Sequence, residues 1–251
     1  MVIYKVVRFG CREKSNISML VRVLFRGPEI LYGTHCWGAL LTKTASRPLF
    51  QLSRSISSHP ISRFPVPERS KLPEDIQEQM DEVEEKSGFL PNVFKALAYR
   101  PDEFRAFFSY YDAVMNREGS KLSKADKEMI IVATSAANNC LYCVVAHGAL
   151  HRIYSKNPIQ SDQVAVNWRC SDIDDRQKAI LEFAIDVCQA RPITEQHFEE
   201  LANHGLSKED AWDIGSIAAL FALSNRMAHV TAMRPNDEFY LMGRVKKEKS
   251  K

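Results

Sequence analysis

A chain of 251 residues, 45% of them apolar and 26% charged, is large enough to bury a core without disulfide or metal staples. Its net charge of +3 is unevenly spread: residues 1–60 hold nine Lys and Arg against only Glu13 and Glu29, whereas the remainder holds 25 basic residues against 29 acidic ones. A mildly acidic body lacks the basic stripe that nucleic acid requires, and the chain has no run of about 18 uncharged apolar residues to cross a membrane, so a soluble protein is expected.

Residues 1–60 are rich in Arg and hydroxyl side chains and nearly free of acids, the composition of an organelle-targeting presequence. Within them Leu20, Val21, Val23, Leu24 and Phe25 are interleaved with Arg22 and Arg26, which share one helical face. The expectation is a mitochondrial presequence and a matrix location. A disordered basic tail, or initiation at Met19, would instead leave the protein in the cytoplasm.

From about residue 66 the pattern turns to helical spacing with few strand-like runs, which predicts an all-α domain over 66–240, followed by a basic tail over 241–251. Pro73 and the acids after it suit a first helical turn, and Gly88 suits its end. Pro91 and Pro101 begin the next two helices, the second carrying Phe104, Phe107, Phe108 and Tyr111 on a core-facing side. Ser123 with Asp126 forms a capping-box pattern, and the apolar run from Met129 carries that helix to Asn138 and Asn139. Further helices are predicted from Asp174 to Ala190, after Thr194, and, capped by Ser207 with Asp210, from Lys208 to Met227. The last is apolar on most sides and is expected to be buried.

Six cysteines at uneven spacing do not make a disulfide framework. Cys170 and Cys188 read as small apolar residues. Cys140 and Cys143 stand apart as a C-x-x-C, with Asn138 and Asn139 before them as candidate N-caps. In the first turn of a helix, unsatisfied N–H groups and the helix dipole favour a thiolate, drawing such cysteines from about pKa 8.5 toward 7 or below. His147 lies one turn after Cys143 on the same face, within reach of that thiol's proton. Spacing therefore assigns attack to Cys143 and resolution to Cys140. Glu128 would be about 18 Å from Cys140 in a continuous helix, but a reversal at Asn138 and Asn139 would bring it level with His147.

The order Glu128, Cys140-Leu141-Tyr142-Cys143, His147 resembles the motif of the alkylhydroperoxidase D-like family, within the carboxymuconolactone decarboxylase superfamily. Leu90-Pro91-Asn92-Val93-Phe94 and Asn225-Arg226-Met227-Ala228-His229 resemble its peroxidase-related branch. The resemblance implies an all-helical, oligomeric protein that reduces hydroperoxides through a cysteine disulfide cycle without haem, metal or other cofactor. It implies Cys143 as the peroxidatic residue, Cys140 as the resolving one, Glu128 and His147 as a proton relay, and a dithiol donor such as a lipoyl group or a thioredoxin-like protein. Some members carry histidine between the cysteines where this chain has Tyr142, which cannot act as a base near neutral pH; packing against a neighbouring subunit is one role for it.

Three rivals come from other classes: general thiol–disulfide exchange, a non-enzymatic interaction protein, and zinc binding. Zinc would draw on Cys140, Cys143, His147 and His151, but these span about 16 Å of one helix and need ligands from elsewhere to converge. His197, His204 and His229 read as core or surface residues, with His229 bordering the site.

Overall fold

The computed structural model describes residues 60–244, so the expected presequence, apart from Pro60, and most of the expected basic tail lie outside the described residues. Among the described residues there are ten α-helices, two short 3-10 turns and no strand. The helices are α1 (Glu74–Ser87), α2 (Asn92–Leu97), α3 (Pro101–Met115), α4 (Lys124–Ala137), α5 (Leu141–Ser155), α6 (Pro158–Asn167), α7 (Asp175–Cys188), α8 (Glu195–Asn203), α9 (Lys208–Thr231) and α10 (Glu238–Leu241). None is long and apolar enough to cross a membrane.

The helix boundaries follow local chemistry. Gly88 ends α1 at φ 84°, a left-handed conformation that costs glycine nothing. Reciprocal capping boxes open α4 at Ser123 with Asp126, α7 at Asp174 with Gln177, and α9 at Ser207 with Asp210. The capped Asp126 also receives Arg176 at 3.1 Å, which ties α7 to the start of α4.

Every residue of α4 from Asp126 to Ser135 is buried, so α4 is the central helix, with α5, α6, α7 and α9 packed around it. The main core joins Met129, Ile130 and Val132 to Ile180 and Ala184 of α7 and to Ile214, Ile217 and Phe221 of α9. A smaller core gathers Ile76, Met80 and Leu90 with the aromatic stack of Phe94 on Phe108, 4.2 Å between ring centroids. The α3 aromatics thus serve packing, as expected, with Phe104 fully buried.

Three features differ from the sequence expectation. A helix unmarked by clear apolar periodicity, α6, opens on Pro158 after the Asn157 cap. Helix α9 runs on to Thr231 and is followed by α10: Ala228 and Thr231 are buried, and the Arg63 N–H binds the Thr231 carbonyl at 2.7 Å. Finally, α9 is not buried all round, because Trp212, Leu223 and Val230 are exposed.

The helical body also reaches past both ends of the 66–240 span. The Arg234 N–H binds the Ile61 carbonyl at 3.1 Å. The Arg152 guanidinium, on α5, donates to the carbonyls of Phe239 (2.7 Å) and Met242 (2.8 Å). Gly243, at φ 74°, lies so close to α5 that a Cβ there would meet Arg152 Cβ at 2.7 Å.

Candidate active site

The site begins with the reversal between α4 and α5. Asn138 caps α4 and Asn139 adopts φ 55°. The Asn139 N–H binds the Ala136 carbonyl (3.0 Å) and the Cys140 N–H binds the Ser135 carbonyl (2.9 Å). That is a Schellman ending with asparagine, the residue other than glycine that best tolerates the left-handed region. The cap of α5 is therefore Cys140 itself rather than either asparagine, and Cys143 occupies its third position. No side chain closes this cap with a short hydrogen bond; the Cys143 N–H faces the Cys140 sulfur where a serine oxygen would otherwise sit.

The reversal brings α5 back along α4 and pairs the two predicted relay residues. His147 Nδ1 donates to Glu128 Oε2 at 2.7 Å, with both side chains largely withdrawn from solvent. The carboxylate fixes the imidazole tautomer and leaves Nε2 as the basic nitrogen. The edge-on ring of Phe221, 4.6 Å away between centroids, holds the imidazole in place. Glu128 thus faces His147 inside the fold and not bulk solvent, as the reversal required.

Both cysteines are buried and free, and their thiols titrate as an interacting pair. A hydrogen bond from the Cys143 thiol draws the Cys140 pKa down to about 6 against the opposing effect of burial, aided by the Cys143 N–H, the charge of His229 and the Asn225 amide. The Cys143 thiol is pushed up by the Cys140 sulfur beside it and by its deeper burial. Ser224 Oγ lies 3.7 Å from Cys143 Sγ.

A cavity of ≈ 360 Å³ opens beside the pair, lined by Cys140, Tyr142, His229, Met233 and Arg234 among others. A larger apolar cavity, ≈ 680 Å³, lies between α3 and α9 and includes neither cysteine, so it is not the approach to the sulfurs.

Tyr142 is buried within its own chain rather than against a neighbouring subunit: its phenol accepts the Val93 N–H at 3.1 Å, and burial pushes its pKa up. The neighbouring Asn92 is latched to the loop after α9, its N–H bound to Asn236 Oδ1 at 2.7 Å and its amide to the Arg234 carbonyl at 3.0 Å. Leu90-Pro91-Asn92-Val93-Phe94 therefore braces, from outside the cysteine motif, two residues that line the cavity, Tyr142 and Arg234.

Sequence reasoning placed His229 at the border of the site, named Asn225 only as part of a stretch and missed Ser224. All three lie on α9, where polar residues in an apolar helix were the available signal. His197 and His204 make only local contacts, with Thr194, Asp186 and Glu200. Cys188 is buried as expected, whereas Cys170 is exposed. Among the described residues, no cluster of three or more His, Cys, Asp or Glu side chains is arranged to hold a metal ion.

His151, one turn beyond His147, is fully buried with neither ring nitrogen hydrogen-bonded within the described residues, and burial lowers its pKa to about 4. The unfolded chain, with histidine near 6.5, therefore binds the extra proton first as pH falls. The stability held above pH 6.5 is lost toward pH 4, on the order of 3 kcal/mol. Urea midpoints across that window should fall in the wild type and flatten in His151→Phe; an unchanged slope in the variant would count against this assignment.

Residues 101–161, which span Glu128, both cysteines and His147, match the model of the carboxymuconolactone decarboxylase family. An uncharacterized peroxidase-related protein from Ralstonia eutropha with an alkylhydroperoxidase AhpD core is 60% identical, with 76% of this chain and 100% of that one covered and a TM-score of 0.74. The chain belongs to the peroxidase-related branch of this family. A second peroxidase-related member, from a Silicibacter species, is 35% identical over 75% of this chain and 99% of its own, with a TM-score of 0.70. The debrominase Bmp8, at 22% identity over 73% and 96% of the two chains and a TM-score of 0.60, shares the fold. A comparison with curated proteins finds no match. The expected all-helical alkylhydroperoxidase D-like architecture is the one this family has.

Proposed function

We propose that this protein is a thiol-dependent peroxidase that reduces hydroperoxides through a disulfide cycle between Cys140 and Cys143, with Glu128 and His147 moving the protons. The observation that carries this reading is the buried 2.7 Å Glu128–His147 hydrogen bond, set one helical turn from a buried pair of free cysteines.

Spacing and the family resemblance both made Cys143 the attacker; the surroundings of the pair support the opposite order. Cys140 holds the more acidic thiol and lines the cavity, while Cys143 is deeper and keeps its proton. In the proposed cycle the Cys140 thiolate attacks the peroxide, the O–O bond breaks, Cys140 becomes a sulfenic acid and the departing alkoxide takes up from water the proton that Cys140 released on ionising, becoming the alcohol. Cys143 then gives its proton to His147, oriented by Glu128, and attacks the Cys140 sulfur. The S–S bond forms and hydroxide leaves as water with the relayed proton. The balance is one hydroperoxide and two thiols to one alcohol, one water and one disulfide. A dithiol donor, lipoyl or thioredoxin-like, restores the thiols by exchange.

Homo-oligomer formation is part of the same proposal, supported by the exposed Trp212, Leu223 and Val230 on α9. A mitochondrial matrix location remains a proposal on the composition of residues 1–60.

The test is thiol counting on reduced protein before and after one equivalent of an alkyl hydroperoxide. Loss of two thiols per chain, restored by a dithiol, is expected. Retention of all thiols, or stoichiometric zinc in the purified protein, sinks the reading.

A further inference from the structure

The cavity beside Cys140 is charged with one sign only: of the side chains that line it, His229 and Arg234 are basic and none is acidic. The two cations are differently engaged. His229 Nε2 donates to the Asn138 carbonyl at 3.0 Å, and its charge helps to lower the Cys140 pKa. The main chain of Arg234 is pinned on both sides, its N–H to the Ile61 carbonyl at 3.1 Å and its carbonyl by the Asn92 amide at 3.0 Å, yet its guanidinium has neither a hydrogen bond nor an ion pair among the described residues. Asp237 and Glu238, which border a second opening together with Arg234, do not pair with it.

Elsewhere in the fold Arg105, Arg117 and Arg244 each grip a carboxylate with two nitrogens, on Asp75, Asp213 and Asp162. That fork matches the two oxygens of a carboxylate. Arg234 brings the same fork to a cavity that holds no carboxylate of its own. We propose that Arg234 is a specificity-determining residue that binds a carboxylate on the substrate, so that the Cys140 cavity selects small hydroperoxides bearing one carboxylate.

The inference rests on the thiol-peroxidase reading and names its substrate class. A volume of ≈ 360 Å³ leaves room for about a dozen non-hydrogen atoms, at the roughly 30 Å³ that a water occupies in the liquid. Leu141, Ala228 and Met233 supply apolar wall for a short alkyl stem, with the carboxylate at Arg234 and the peroxide at Cys140. One permanent cation facing one thiolate suits a singly charged ligand better than a doubly charged phosphate ester.

The test reads Cys140 without peroxide. Reduced full-length protein is alkylated with iodoacetate and with iodoacetamide, reagents of nearly equal size that differ by the carboxylate. In both, the Cys140 thiolate displaces iodide to form a thioether, and peptide mass spectrometry follows the Cys140 product alone. The rate ratio of iodoacetate to iodoacetamide should fall about tenfold in Arg234→Gln, the scale of one charge-assisted hydrogen bond, and be largely kept in Arg234→Lys. Arg100→Gln removes the same charge from an exposed site beside Glu103 and should leave the ratio unchanged. In wild-type protein, pentanoate should slow alkylation of Cys140 by iodoacetamide and pentanol should not, a measurement that needs no variant to fold. In turnover, the preference for the ω-carboxylate of pentyl hydroperoxide over pentyl hydroperoxide itself should drop about tenfold in Arg234→Gln. A wild-type alkylation ratio in folded Arg234→Gln, an equal fall in Arg100→Gln, or equal protection by pentanol would overturn the proposal. If the alkylation results hold while neither hydroperoxide consumes thiols, the peroxidase reading fails and Arg234 stands as a carboxylate site. If both hydroperoxides turn over at a ratio indifferent to Arg234, the substrate class falls and the peroxidase reading stands.

Discussion

Cys140→Ser is expected to abolish hydroperoxide turnover, by on the order of 10³-fold or more, the scale at which loss of an activated nucleophile acts. The two serine variants should fail in different ways. Cys143→Ser keeps a thiol at Cys140 that faces the cavity, with the Cys143 N–H, Asn225 and His229 still beside it. It should consume one equivalent of peroxide and stop as a sulfenic acid that a dione reagent traps. Cys140→Ser leaves Cys143 buried and deprived of its partner, and should consume none at a comparable rate. Mass spectrometry of the trapped adducts decides the order: an adduct on Cys143 in Cys140→Ser, with none on Cys140 in the converse variant, restores the order that spacing and the family resemblance suggest. Because serine differs from cysteine by one atom, both proteins should fold.

Glu128→Gln should lower kcat/KM about 10²-fold with little change in stability, the magnitude general acid–base groups contribute. The amide oxygen still accepts from His147 Nδ1, so the imidazole stays in place, but its basicity is no longer supported by a carboxylate. Glu128→Ala should in addition cost stability, about 1–3 kcal/mol, because it leaves His147 Nδ1 without its partner in a site nearly closed to water. Steady-state kinetics over pH 6 to 9 and thermal unfolding separate the two effects. Wild-type turnover in Glu128→Gln would remove the relay from the mechanism. A loss in Glu128→Ala alone would make Glu128 a structural support for His147.

The capping chemistry and the pairing of Glu128 with His147 were legible because they depend on local pattern: Ser123 with Asp126, Ser207 with Asp210, and a polar Asn138–Asn139 break between two apolar runs. The position of the α5 cap was not. Asparagine is both a good N-cap and a good left-handed residue, and here the Schellman ending of α4 claims Asn139 for the second role. The end of α9 was hidden for a related reason: Ala232 supplies the left-handed terminus at φ 52° where no glycine marks it. The order of the cysteines depends on which sulfur meets the cavity and which is deeper, and i, i+4 spacing carries no information on either. The α9 side of the site is illegible to spacing altogether, since Asn225 lies 85 positions from Cys140 along the chain.

Tyr142 also ties the first turn of α5 to a stretch of chain far from it in sequence. It sits between the two cysteines in sequence, and its phenol is the acceptor for the Val93 amide at the start of α2. Through Asn92 the same segment is latched to the loop that carries Arg234, which lines the cavity beside Cys140. A phenol at position 142 thus works as a tie rod, holding the cysteine-bearing turn, the start of α2 and the Arg234 rim of the cavity to one another.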